Sequence, residues 1–210
     1  MEKIAVYDNH ASEFDQWFDK HPVWFRSELK ALDKVMPEDR SKSGLEIGVG
    51  TGRFAEKLGI GQGLDPAEAM ADIAEKRGIP TEIATAEKMP FKSNTFDFAV
   101  MITVDCFLED ISRAFRETAR ILKPKGQFII GMIDKNSPLG QLYRLNKEDN
   151  LFYQHAQFHS VDEIAKYLKA TGFATSEYWQ TLITASEEEP EEPQPGYGEG
   201  GFVAIKAVLK

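Results

Sequence analysis

Apolar positions along the chain switch between a helical and a strand period. Phe14, Trp17, Phe18 and His21 fall on one helical face that ends at Pro22, and Phe25, Leu29, Leu32 and Met36 fall on a second, so two helices are predicted ahead of any strand. Leu45-Glu46-Ile47 is then a short apolar strand signal running into Gly48, Gly50 and Gly52. Gly63-Leu64-Asp65 and Thr81-Glu82-Ile83-Ala84 read as the next two strands, and residues 95–102, rich in aromatic and β-branched side chains, as a buried fourth. Asp65-Pro66-Ala67-Glu68 has the order of an N-cap, a proline at the first helical position and an acid at the third, so Asp65 is expected to close a strand and open a helix. Ile111, Ala114, Phe115, Ala119 and Leu122 repeat at helical spacing before Pro124, and Phe128-Ile129-Ile130 marks a fifth strand. Ser160-Val161-Asp162-Glu163 is a capping box for a helix buried through Ile164, Ala165 and Leu168, with Gly172 as its stop. Residues 175–182 and 202–209 are the last strand signals.

Strands alternating with helices in this order predict an α/β fold. Its sheet is doubly wound, seven-stranded and mostly parallel, with ligands bound beyond the carboxyl ends of the strands. The last two strands adjoin in sequence, which permits antiparallel pairing. A single domain spans 1–210, in which 1–40 is expected to form an N-terminal helical lid and 135–159 a substrate-capping insertion. Residues 185–201 form an acidic Pro/Gly loop whose Glu187–Pro193 stretch is expected to be solvated and mobile. Tyr197, among glycines, is placed to fold over a substrate.

Charge and leader signals narrow the partners. The 210 residues carry 25 Lys and Arg against 34 Asp and Glu, a net charge of −9, which argues against nucleic acid because phosphate contacts need a basic face. The opening Met1–Asp8 lacks a signal-peptide core and no stretch reaches the length of a membrane span, so a cytoplasmic protein without a membrane partner is expected. Cys106 is the single cysteine, which excludes an internal disulfide and a multi-cysteine metal site. Oligomeric state is not legible.

The glycine-rich turn carries the chemistry. Glycines at the end of a strand let the backbone approach a ligand, and an acid at the end of the next strand, Asp65, can accept from both hydroxyls of a ribose. A dinucleotide site needs G-x-G-x-x-G, but Gly52 comes one position early and Arg53 stands where that pattern wants glycine. No Gly-Lys-Ser/Thr follows, so a P-loop is excluded.

The order Glu46-x-Gly48-x-Gly50-x-Gly52 resembles the first motif of class I S-adenosylmethionine (AdoMet)-dependent methyltransferases. Ala86-Glu87-Lys88-Met89-Pro90-Phe91, Ser93–Val100 and Leu122-Lys123-Pro124-Lys125-Gly126 are similar to stretches of the ubiquinone/menaquinone-biosynthesis-like, small-molecule branch. The resemblance covers residues 7–134 and implies strand order 3-2-1-4-5-7-6 with the final strand antiparallel. It implies AdoMet as cofactor: Gly48 and Gly50 along the methionine and ribose, Glu46 at the amino-acid end, Asp65 on the ribose, Ala86 against adenine and backbone of Thr103 near the sulfonium. Many relatives have an acid where Thr85 stands, two positions before the Glu of this motif; Glu87 can take that contact or be solvated. The Asn/Asp-Pro-Pro-Tyr/Phe of amino-methylating DNA enzymes and the Pro-Cys of cytosine C5 enzymes are absent; Thr103-Val104-Asp105-Cys106-Phe107 follows the fourth strand instead.

Methyl transfer needs a base only if the acceptor must lose a proton. His10, His155, His159 and Asp105 are the candidates, with Asp134 further along. No metal is expected, although Asp105 with Asp134 and Asn136 resembles metal-dependent catechol-type O-methyltransferases, which remain an alternative. Another is a non-catalytic AdoMet-binding or regulatory protein. Aromatic residues in 135–159 and at the N-terminus suggest an enclosed apolar pocket for a small-molecule acceptor, with Tyr7, Trp17, Tyr143, Tyr153 and Tyr197 as its candidate contacts.

Overall fold

The computed structural model describes residues 2–39 and 41–210; Met1 and Arg40, two positions of the expected 1–40 lid, lie outside the described residues. Three helices, not two, precede the first strand: α1 (Glu2–Asn9), α2 (Ala11–Lys20) and α3 (Pro22–Val35). The first has little amphipathic pattern to betray it, and the break before the third falls at Pro22, whose fixed φ and missing N–H suit a first helical turn. The chain then alternates through β1 (Gly44–Ile47), α4 (Arg53–Leu58), β2 (Gly63–Asp65), α5 (Glu68–Lys76), β3 (Thr81–Ile83), β4 (Phe96–Ile102), α6 (Ile111–Ile121) and β5 (Leu122–Ile133). It ends with α7 (Pro138–Leu145), α8 (Val161–Ala170), β6 (Phe173–Thr181), β7 (Gln194–Pro195) and β8 (Phe202–Leu209). No helix among the described residues is long and apolar enough to cross a membrane.

The strands form one sheet in the order β3-β2-β1-β4-β5-β8-β6-β7. The first five in that order are parallel, and β8 lies antiparallel between β5 and β6. The expected order is present, with an eighth strand added at the edge. That strand, β7, is two residues long and contains a proline, which gives no period to read; it pairs Trp179 with Pro195. Apolar residues of α6 and α8 cover one face of the sheet, and those of α3, α4 and α5 cover the other. Ala31, Leu32 and Val35 of α3 are wholly buried in that second layer, so α3 is core and not lid.

Two local expectations change. Helix α5 starts at Glu68 because Ala67 is extended, so Asp65 does not cap it; its carboxylate instead accepts from Ala67 N at 2.9 Å in a turn. The 185–201 loop is tied down where a mobile loop was expected. Glu191 accepts from the backbone N–H groups of Ile183 and Thr184, its own N–H donates to Ser27 Oγ on α3, and Lys30 pairs with Glu192. Only Glu187–Glu189 remain fully exposed within the acidic run up to Pro190. The Ser160 capping box of α8 forms as expected, with Glu163 N donating to Ser160 Oγ and Ser160 N donating to Glu163 Oε2.

Candidate functional site

The carboxyl ends of the parallel strands meet at one edge of the sheet, and the glycine turn crosses it. Gly48 has φ +73°, and a Cβ there would come 2.3 Å from Val104 Cγ2, so no other residue fits between this turn and the segment after β4. Asp65 secures the turn from β2: its Oδ2 accepts from Gly50 N at 2.8 Å. Burial pushes the Asp65 carboxyl up to about 6, opposed by its bonds from Ala67 and Gly50. Glu46 lies deeper, 1% exposed, with burial holding its carboxyl well above the usual range and Oε2 without a hydrogen-bond partner among the described residues. A buried acceptor with nothing to accept from is costly unless a ligand supplies the donor. On the far side Thr103 takes φ +52°, a left-handed conformation rare for a β-branched residue and characteristic of functional turns.

Gly48, Gly50, Asp65 and Thr103 face a cavity of about 570 Å³, within the range of small-molecule sites, whereas Glu46 is not among its lining residues. Its polar wall is Gly48, Gly50, Asp65, Ala86, Glu87 and Thr103. Its apolar wall includes Tyr7, Phe14, Phe107 and Tyr153. The aromatic rings interlock: Tyr7 meets Phe14 and Phe107 edge-on at 5.6 and 5.5 Å, and Phe107 stacks on Tyr153 at 5.8 Å. Helix α1 closes over them through Tyr7 Oη donating to Phe152 O at 3.2 Å, Lys3 Nζ to Phe107 O at 3.3 Å, and Ala69 N to Asp8 Oδ1 at 3.0 Å. Helix α2 is held differently. Its Asp15 takes bonds from both Arg53 and Arg77, and these cations with burial opposing them hold its carboxyl down near about 2.

Of the residues singled out from sequence, Gly48, Gly50, Asp65, Ala86, Glu87, Thr103, Tyr7 and Tyr153 line this one cavity. Glu87 does so with its carboxylate engaged by Glu109 N at 2.9 Å. Trp17 lies elsewhere, stacked near His21, and Tyr143 stands behind Tyr153 at 5.2 Å. Tyr197 does not reach the cavity: its hydroxyl donates to Asp162 Oδ1 and its ring packs on Tyr178. None of the four candidate bases lines the cavity wall. His10 pairs with Glu13 at the surface, while Asp105 is drawn back to His159, Oδ2 to Nδ1 3.1 Å. His155 and His159 share no helix face, because residues 151–160 are turn and extended chain. Phe107 was missed; it stands two residues after Asp105 in the segment that follows β4, a position with no periodicity of its own.

A methyltransferase-domain family model matches residues 45–130, the stretch running from β1 to β5. An uncharacterised protein of Methanocaldococcus jannaschii is 44% identical over 97% of this chain and 98% of its own length. The crystal structure of a Thermotoga maritima SAM-dependent methyltransferase, described as a possible histamine N-methyltransferase, superposes with a TM-score of 0.93 at 42% identity, covering 98% of this chain and 99% of that one. A ubiquinone/menaquinone biosynthesis C-methyltransferase of Rickettsia bellii is 27% identical over 83% of this chain and 85% of its own. The glycine turn, the strand-end acid and these full-length likenesses agree, and the chain belongs to the class I S-adenosylmethionine-dependent methyltransferases.

Proposed function

We propose that the polar wall of the cavity binds AdoMet and the aromatic wall holds a small-molecule acceptor, to which the enzyme transfers a methyl group in the cytoplasm. The residues present fit the cofactor. Glu46 Oε2 is an orphaned acceptor for an ammonium, Asp65 has lone pairs left for two ribose hydroxyls, and the glycine turn leaves room for backbone approach. Ala86 would pack against the adenine, Glu87 would border it, and the Thr103 backbone would lie by the sulfonium. AdoMet supplies the methyl on a sulfonium, whose displacement disperses charge and asks the protein chiefly for alignment and dryness. Alignment comes from the glycine turn and Asp65. Dryness comes from Tyr7, Phe14, Phe107 and Tyr153, with α1 as the lid and residues 152–153 as the cap contributed by the 135–159 insertion.

The observation that carries this reading is a single cavity with a nucleoside-type wall and an aromatic wall, shut by α1. A cavity of this size beneath α1 favours small acceptors over polymers. The metal-dependent alternative loses its ligand set: Asp105 is engaged by His159, Asp134 accepts from Asn136 N, and no three His, Cys, Asp or Glu converge among the described residues. The test is incubation with labelled AdoMet and a panel of small amines, phenols, thiols and quinols, read by S-adenosylhomocysteine release. Turnover of at least one acceptor is expected. Tight S-adenosylhomocysteine binding with no turnover across the panel favours the non-catalytic reading instead.

A further inference from the structure

Helix α1 brings a cation into the aromatic wall. Lys3 lines the cavity with Tyr7 and Phe107, half-buried, and its Nζ donates to Phe107 O at 3.3 Å. That carbonyl takes one of the three ammonium protons and carries no charge. Among the described residues no carboxylate pairs with Lys3. Its own helix offers none: Val6 and Tyr7 stand one turn on, and Asp8 turns away to accept from Ala69 N. Across the cavity Asp65 is engaged by Gly50 and Ala67, Glu87 by Glu109 N, and Asp110 by Arg113 N, while Glu109 is exposed at the rim. The other lining cations, Lys88 and Arg113, each have one of these acids within a turn of chain. Helix stability does not call for Lys3 either, since it stands in the first turn of α1, where the helix dipole disfavours positive charge.

An unpaired ammonium at an aromatic-walled cavity is a receptor for an anion that the fold itself does not supply. We propose that Lys3 is the specificity-determining residue of the acceptor site and that the acceptor is an aromatic oxyanion, its charged oxygen against Lys3 Nζ and its ring among Tyr7, Phe107 and Tyr153. This rests on the reading of the cavity as the site of small-molecule methylation. A neutral ring of the same skeleton gains only the aromatic contacts, and an amine meets like charge. The oxyanion is either a carboxylate, which serves as a handle, or a phenolate, which is itself the nucleophile.

The phenolate case also accounts for a cavity wall without a base. None of the candidate bases lines it, so a neutral phenol would keep its proton there. An ammonium beside the oxygen favours the ionised form, and the proton is left in solvent. A phenolate lone pair then forms the O–CH3 bond while the pair of the breaking C–S bond stays on sulfur. The products are a neutral aryl ether and S-adenosylhomocysteine, and Lys3 keeps its three protons throughout.

The test is binding calorimetry on protein saturated with S-adenosylhomocysteine, using 4-nitrobenzoate, 4-nitrophenol and the neutral 4-nitroanisole, with the absorbance of bound nitrophenol recorded one pH unit below its free pKa. In the wild type at least one of the two acids should bind at least tenfold more tightly than nitroanisole. Tight nitrobenzoate identifies the carboxylate handle, and a bound nitrophenol showing the phenolate band identifies the nucleophile. In Lys3→Gln the ratio should fall to near one and the phenolate band should be lost, while Lys3→Arg keeps the ratio. Tyr7→Phe, which cuts the bond of α1 to Phe152 O and leaves the charge in place, should keep it too. If Lys3 only clasps the lid, Lys3→Gln lowers all three affinities together and the ratio survives. That result, or acids no tighter than nitroanisole in the wild type, overturns the assignment while leaving the methyltransferase reading intact; the wild-type comparison stands even if Lys3→Gln does not fold. Failure to bind S-adenosylhomocysteine at all refutes the underlying reading instead.

Discussion

Replacing Asp65 by Asn isolates the carboxylate on which the cofactor reading turns. Its Oδ2 and Oδ1 each accept one backbone N–H, from Gly50 at 2.8 Å and Ala67 at 2.9 Å, leaving one lone pair on each oxygen for a ribose hydroxyl. Asparagine keeps one acceptor oxygen and turns an amide donor where the other stood. A hydrogen bond to a charged group is worth about 1.5–3 kcal/mol, and 1.4 kcal/mol is tenfold in Kd. S-adenosylhomocysteine should therefore bind roughly 10- to 150-fold more weakly to Asp65→Asn. The pH dependence supplies a second reading of the same group. With its carboxyl raised to about 6 by burial against backbone bonds that lower it, Asp65 is mostly ionised at pH 7 and mostly protonated at pH 5. Ribose hydroxyls donate to the ionised form, so wild-type affinity should fall as pH drops through 6, by up to about tenfold per unit. Stability of the free protein runs the other way. The folded pKa lies above the unfolded one, so this group stabilises the fold by at most about 3 kcal/mol below the unfolded pKa, and that is lost as pH rises through 6. Calorimetric titration from pH 5 to 8 on both proteins, with melting curves in parallel, reads all three effects. A variant within twofold of wild type, or one with the same pH slope, refutes the role given to Asp65.

Glu46→Gln should weaken S-adenosylhomocysteine binding at least tenfold while the melting temperature of the free protein holds or rises, because a neutral amide replaces a wholly buried acid; unchanged affinity counts against Glu46 as the amino-group acceptor. Asp15→Ala releases Arg53 and Arg77 and should cost about 2–4 kcal/mol in urea unfolding. Because Asp15 is held near about 2, below its unfolded value, its stabilisation is present above pH 4 and should vanish as pH falls through 2; a difference under 1 kcal/mol at pH 7 sinks the idea that this network fixes α2. In limited proteolysis S-adenosylhomocysteine should protect α1 near Lys3 but leave cleavage after Lys20 unchanged, since α1 is hydrogen-bonded across the cavity while the α2 end is held by Asp15 to Arg53 and Arg77; equal protection with and without ligand removes its part as lid.

Most of the sheet was readable because each strand carries its own signal. The dense β-branched and aromatic run of 95–102 became β4, whereas the place of β8 between β5 and β6 was implied only by the family resemblance. What escaped was governed by tertiary contacts. Helix α1 is eight residues with weak amphipathicity, stabilised by docking through Lys3, Tyr7 and Asp8, none of which leaves a periodic trace. Composition of the 185–201 loop predicts a solvated segment, yet three bonds to Glu191 and one from it to Ser27 decide otherwise. An acid-rich run reports the average cost of burying its side chains and says nothing about the one glutamate that finds backbone donors.

The two walls of the cavity differ in the same way. The cofactor wall is local: a glycine turn and the acid at the end of the next strand lie within twenty residues, and their backbone demands are written in residue type. The acceptor wall is assembled from α1, α2, the segment after β4 and the 152–153 turn. No single window contains it. Chain geometry explains why the histidines and Asp105 were the natural candidates and still fall outside: Asp105 lies two residues beyond Thr103, but His159, reaching across from the start of α8, engages it away from the cavity.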